Sequence, residues 1–124
     1  MSPEVLHIGM SEEGGTRILR LTGELDSFTS DRLTGVAGTW PAGTRKVVVD
    51  LDGLEYIDSS GLAALVGMWV KARDNHSLMV ISCSNPRIRR IMEITGLLKL
   101  FSFEEAEAAN SMVAAAFTPT SEAA

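Results

Sequence analysis

The feature that most constrains the fold is a change of periodicity near the middle of the chain. Val47-Val48-Val49 is an unbroken β-branched run, the pattern of a strand buried on both faces. Beyond Asp58-Ser59-Ser60-Gly61, the residues Leu62, Leu65, Val66, Trp69 and Val70 recur at helical spacing. Two hydroxyls therefore stand where a buried strand has ended and an amphipathic helix begins. The first backbone N–H groups of a helix have no partner within it, and their partial positive charge favours an anion. Asp58, Ser59 or Ser60 can supply the capping oxygen. A hydroxyl at this place can equally carry a phosphoryl group, and helix geometry alone does not choose between Ser59 and Ser60.

The flanking sequence supplies the scaffold. Val5, Leu6, Ile8 and Met10 alternate loosely as a strand, and Ser11-Glu12-Glu13-Gly14-Gly15 has turn composition. Ile18, Leu19 and Leu21 make a second strand that Gly23 ends, so the opening reads as a hairpin. From Ser27 to Trp40 the pattern is weakly helical, with Phe28, Leu33 and Val36 as apolar anchors and Asp26 or Ser27 as cap. Gly35 and Gly38 each cost that helix up to ~1 kcal/mol relative to Ala, and Pro41-Ala42-Gly43 stops it. The central strand runs from Lys46 to Leu51 and the following helix from about Ser59 to Arg73. Asp74-Asn75-His76 then connects to Leu78-Met79-Val80-Ile81, an apolar run that fits an inner parallel strand.

Asn85 and Pro86 place a cap and a first-turn proline before a short helix whose apolar side is Ile88, Ile91 and Met92, and Gly96 ends it. Leu98 and Leu100 read as a last strand. Glu104 and Glu105 open a final helix lined by Ala106, Ala109, Val113 and Phe117, and residues 118–124 form a small, polar tail. Strands alternating with helices after a hairpin predict a single α/β domain over residues 1–117: a mixed, mostly parallel sheet covered by about four helices.

Charge and cysteine usage bound the partners. A net charge of −5 is repelled by nucleic acid and by anionic membrane, so direct contact with either is not expected. Cys83 is the single cysteine, which excludes an internal disulfide. The first ten residues lack a signal-peptide pattern, and no apolar stretch approaches the roughly 20 residues that cross a bilayer. The expected location is the cytoplasm.

Placing residues at 100° per step puts Leu62, Ala63, Leu65, Val66, Trp69, Val70 and Ala72 of the central helix toward the sheet. Ser60, Ala64, Gly67, Met68 and Lys71 fall on the other side. With Lys71 as its one charge, that side is expected to be a flat apolar strip on which another protein docks.

Asp58-Ser59-Ser60-Gly61-Leu62 after a hydrophobic strand, with Leu21-Thr22-Gly23-Glu24-Leu25-Asp26 upstream, resembles the STAS family of bacterial anti-sigma-factor antagonists. Asn85-Pro86-Arg87-Ile88-Arg89-Arg90 and Ile94-Thr95-Gly96-Leu97 extend the resemblance over nearly the whole chain. The resemblance implies a βα fold of the same kind and a switch in place of catalysis. It makes Ser59 the phosphoacceptor, with Ser60 as second candidate, in a switch loop of Asp58, Ser59, Ser60 and Gly61. It also makes the kinase the anti-sigma factor itself, which the unmodified antagonist binds and thereby releases sigma factor. A metal-dependent serine phosphatase then restores the unmodified form. Asp26 and Thr29 lie in the stretch that the resemblance assigns to the kinase-contacting region, and helix capping is their alternative role. No metal or cofactor is implied for the chain itself. A STAS subunit of a stressosome-type or lipid-transporter assembly is the alternative reading, in which docking persists without the phosphate.

A serine hydrolase is the rival from another class. Ile57-Asp58-Ser59-Ser60-Gly61 lacks the first glycine of the nucleophile elbow, and His7 and His76, the two histidines, come with no recognisable orienting acid. Asp50, Asp52 and Asp58 near strand ends have the residue type of a magnesium site but no matching lysine or second acidic cluster. Two departures from the family pattern stand out. The turn before Leu78 has Asp74-Asn75-His76 where glycine is usual, with Asn suited to a left-handed backbone, and Phe101 to Glu105 is compressed.

Overall fold

The computed structural model describes residues 6–38 and 42–104. Strands β1 (Leu6–Glu13), β2 (Thr16–Leu25), β3 (Lys46–Ile57), β4 (Leu78–Ser82) and β5 (Ser102–Glu104) form one sheet in the order of the chain. β1 and β2 are antiparallel; every later pair is parallel. Helices α1 (Ser30–Gly38), α2 (Ser59–Asp74), α3 (Pro86–Ile94) and α4 (Leu97–Leu100) occupy the connections. The α/β reading, the opening hairpin and the mostly parallel sheet are all present. The final helix expected beyond Glu104 and the 118–124 tail lie outside the described residues, as do Val5, Trp40 and Pro41.

One continuous core joins Leu19, Leu21, Val47, Val49 and Leu51 of the sheet to Leu33 of α1, Leu65 and Met68 of α2, and Ile88 and Met92 of α3. The β-branched centre of β3 is fully buried, which is why an unbroken apolar run marked it. β3 is longer than expected, continuing to Ile57. β2 likewise continues past Gly23 to Leu25, because two register shifts let β3 carry an extra residue against β2 at each. Gly23, at φ 104, absorbs the local bend at one of them and does not end the strand.

Four local expectations are corrected. Phe28 precedes α1 and is 89% exposed, so it anchors nothing in the core. Leu98 and Leu100 belong to the single turn α4, and the last strand is Ser102–Glu104, paired with Val80–Ser82. In the α2–β4 turn it is His76, at φ 57, that takes the left-handed conformation, whereas Asn75 is the helix C-cap. The facing of α2 is also rotated. Ala64 and Met68, expected on the outer strip, are buried on the sheet together with Gly61, Leu65 and Ala72.

The residues that reach the sheet are spaced i, i+3, i+4, i+7, i+11, a narrower stripe in which Gly61, Ala64 and Ala72 let the helix approach closely. The larger Leu62, Val66 and Trp69 pack at the margins, and Ala63 and Val70, expected against the sheet, are exposed. The outer face is therefore Ser59, Ala63, Gly67 and Val70, followed by the exposed Arg73 and Asp74 at the helix end, with Ser60 and Lys71 half-buried at its borders. Near its end the Arg73 guanidinium stacks 4.8 Å over the Trp69 ring, a cation–π contact of roughly 0.5–1 kcal/mol at an exposed site.

Candidate functional site at the carboxyl ends of the parallel strands

In a parallel sheet the loops after each strand gather along one edge, the usual place for a site in α/β proteins. Here three loops meet there: Asp26–Thr29 after β2, the α2 start after β3, and Ser84–Asn85 after β4. Leu25 and Ile57 are register partners, and the Asp58 N–H donates to the Leu25 carbonyl at 3.3 Å, so the first two loops are tied at their roots.

Asp58 is the N-cap of α2. Its carboxylate Oδ1 accepts from the backbone N–H of Ser60 at 2.9 Å and of Gly61 at 3.1 Å. Among the three residues able to cap, the aspartate has taken the position because its own φ and ψ remain extended while Ser59 is already helical. Ser59 is consequently released from capping. It is exposed, and its hydroxyl makes no hydrogen bond among the described residues; Ser60 is half-buried on the next step of the turn. A group added to the Ser59 oxygen projects outward beside a carboxylate that already occupies the helix N–H donors.

The β2 loop is built just as tightly. Asp26 Oδ1 accepts from the N–H groups of Phe28 (2.9 Å) and Thr29 (3.0 Å), and the Thr29 hydroxyl donates to the Glu24 carbonyl at 2.9 Å while accepting from Asp26 N–H at 2.9 Å. Thr29 is only 4% exposed. Of the two residues of this loop expected to contact a partner, Thr29 is therefore committed to the fold, and Asp26 shapes the turn that precedes α1. What that turn presents to solvent is Phe28, a residue that sequence reasoning placed in the core. Its position directly after Asp26-Ser27 was the available signal, since an Asx turn there delays the helix start.

The third loop is held by Asp52, whose carboxylate accepts from Ser84 N–H (2.7 Å) and Oγ (3.0 Å), and by Asn85 Nδ2 donating to the Leu54 carbonyl at 3.1 Å. Asp50 pairs with Arg20 at 3.5 Å. These aspartates tie strands and loops together, and no group of three or more His, Cys, Asp or Glu able to hold a metal occurs among the described residues. His76 lies at the far end of α2 from Ser59, a separation of about 24 Å along the helix axis. His7 lies on edge strand β1 opposite Thr22, with β2 between it and β3. Neither histidine is placed to activate Ser59. No described helix is long and apolar enough to cross a membrane.

Comparison with known proteins agrees with this geometry. The STAS domain family matches residues 7–110. An anti-sigma F factor antagonist of Paenibacillus polymyxa is 31% identical over 104 residues, covering 82% of this chain and 89% of the relative. An anti-sigma-B factor antagonist of Staphylococcus aureus is 35% identical over 88 residues, covering 70% and 82%. The crystal structure of an anti-sigma factor antagonist from Mycobacterium paratuberculosis superposes with a TM-score of 0.72 at 25% identity, covering 82% of this chain and 87% of that one.

Proposed function

The chain belongs to the STAS domain family, and we propose that it is an anti-sigma-factor antagonist that binds an anti-sigma factor in its unmodified state and lets go when Ser59 is phosphorylated. The anti-sigma factor is the serine kinase, a serine phosphatase reverses the modification, and the chain itself catalyses nothing. Its place of action is the cytoplasm.

The observation that carries this reading is the division of labour between Asp58 and Ser59. The aspartate holds the helix start, so the serine hydroxyl stands exposed with no structural task among the described residues. A kinase reaches such a hydroxyl without unfolding anything. The relatives named for antagonism of anti-sigma F and anti-sigma-B factors supply the partner class.

The same arrangement accounts for the switch. A phosphoserine adds roughly −1.5 to −2 charges. Because the Asp58 carboxylate already fills the N–H donors of Ser60 and Gly61, the phosphate is not drawn into the helix start and remains on the docking face. Water screens the phosphate from the Asp58 carboxylate in the free chain; once a partner covers both, at an effective dielectric of ~20, a unit like-charge pair ~6 Å apart costs about 2 kcal/mol more than in water, roughly thirtyfold in affinity. Covering phosphate and carboxylate together under a closely packed partner adds desolvation to that repulsion. The docking face is the outer side of α2, with Ser59, Ala63, Gly67 and Val70 exposed and Ser60 and Lys71 at its borders.

The test uses the purified anti-sigma factors of the organism that carries this chain. One of them should bind the unmodified protein and Ser59→Ala, add one phosphate to Ser59 with ATP as donor, and release Ser59→Asp. Equal binding of all three forms would remove the switch, and docking without any mass increase would favour the assembly-subunit alternative.

A further inference from the structure

We infer that Phe28 is the aromatic anchor of the docking surface, and that its occupant is an apolar cleft on the anti-sigma factor bordered by basic side chains. This inference rests on the antagonist reading above and adds to it the residue that fixes affinity.

Three observations carry it. Phe28 is 89% exposed, the most exposed of the large apolar side chains in the described structure. Its backbone is immobilised: the Phe28 and Thr29 N–H groups both donate to the Asp26 carboxylate, and the buried Thr29 hydroxyl bridges Asp26 and Glu24. A phenyl ring in water on a pinned turn loses little backbone freedom on binding, the condition under which an aromatic side chain dominates an interface. The turn also adjoins the switch, since it leaves β2 at Leu25, the register partner of Ile57 and the acceptor of the Asp58 N–H.

Charge specifies the rim. Within four positions of Phe28 in the sequence stand three acidic residues, Glu24, Asp26 and Asp31, against one basic residue, Arg32, whose guanidinium donates to the Leu6 carbonyl. An apolar pocket edged by lysine or arginine complements that set.

The experiment measures binding of the same purified anti-sigma factors to the unmodified chain and to Phe28→Ala, Phe28→Trp and Ile94→Ala. Ile94 is also exposed but sits at the opposite end of α3 from the site loops. Phe28→Ala should bind about tenfold or more weakly with an unchanged unfolding temperature, and Phe28→Trp should stay within about threefold of the unmodified chain. Ile94→Ala should bind as the unmodified chain does. If Phe28→Ala binds as well as the unmodified chain, or Ile94→Ala loses as much, the anchor is wrong and the antagonist reading stands. If no anti-sigma factor binds the unmodified chain, both fall.

Discussion

A Cβ added at Gly61 would lie 2.5 Å from the carbonyl oxygen of Leu25. The first turn of α2 thus rests on the backbone end of β2, and that contact brings the Asp26 and Asp58 loops to one edge. Gly61→Ala should destabilise the fold by about 1–3 kcal/mol, because backbone cannot yield as a flexible side chain can. Thermal unfolding reads the loss directly; a variant as stable as the parent would show that the helix can lift from the strand.

The cap assignment makes opposite predictions for neighbouring residues. Asp58→Ala removes the acceptor for two N–H groups and should cost roughly 0.5–2 kcal/mol. Ser59→Ala removes an exposed hydroxyl and should stay within about 0.5 kcal/mol of the parent. Urea unfolding of the two variants decides between them. A larger loss at Ser59 than at Asp58 would return the serine to a capping role and weaken its standing as a free acceptor.

Thr29 is 4% exposed, and Thr29→Val deletes its hydroxyl, which bridges two segments of one turn. It leaves the Glu24 carbonyl and Asp26 N–H short of a partner, with an expected cost of about 1–3 kcal/mol. Thr29→Ser keeps the hydroxyl and should recover most of it. Equal stability of the valine and serine variants would mean that the turn does not depend on these bonds.

Gly67 and Met68 are adjacent in α2, yet Gly67 is exposed and Met68 is buried. A Cβ at Gly67 meets nothing within 4 Å, so Gly67→Ala should stabilise the helix by up to ~1 kcal/mol, and Gly67→Glu should keep the fold while blocking the partner. Met68 is 1% exposed, and Met68→Ala should cost about 2–5 kcal/mol. Circular dichroism and thermal melts of the three variants check the facing of the helix. A neutral Met68→Ala would restore the facing expected from the sequence, whereas a destabilising Gly67→Ala would contradict both facings.

That last pair also shows how far the sequence could be read. Val47-Val48-Val49 and Leu78 to Ile81 were legible as parallel strands because burial on both faces leaves no alternation, and β-branching excludes much else. The facing of α2 was not. Nearly every residue from Gly61 to Ala72 is apolar or small, so two arcs of the helix satisfy the 3.6-residue period equally, and the choice fell to the small residues that permit close approach. Leu98 and Leu100 alternate as a strand would, since a four-residue turn is too short to display helical periodicity. At the site, the capping position was legible but its occupant was not. Three adjacent residues can cap, and the backbone angles of Asp58 decide among them. Phe28 was hidden by the same kind of ambiguity, because an Asx turn at Asp26 moved the start of α1 to Ser30.

Cys83 provides a test of the loop network from the opposite side. Its thiol is buried at the end of β4, 3.7 Å from the Asn85 carbonyl. Burial pushes its pKa up, the nearby Asp52 and Asp50 carboxylates add to that rise, and the Asn85 backbone contact and Arg89 oppose it. The folded state therefore holds the thiol proton more tightly than the unfolded chain does. This contribution to stability is fully present below the unfolded thiol value of about 8.5 and is lost as pH rises from there toward the folded value. The urea midpoint should fall between pH 7.5 and about 9.5 by more in the parent than in Cys83→Ala. Alkylation by iodoacetamide at pH 7.5 should be slow in the native protein and fast once urea exceeds the midpoint, since the thiolate is the reacting form. A native rate equal to the unfolded one would mean that the loop pinned by Asp52 and Asn85 opens readily, and the rigid edge on which the docking surface depends would not exist.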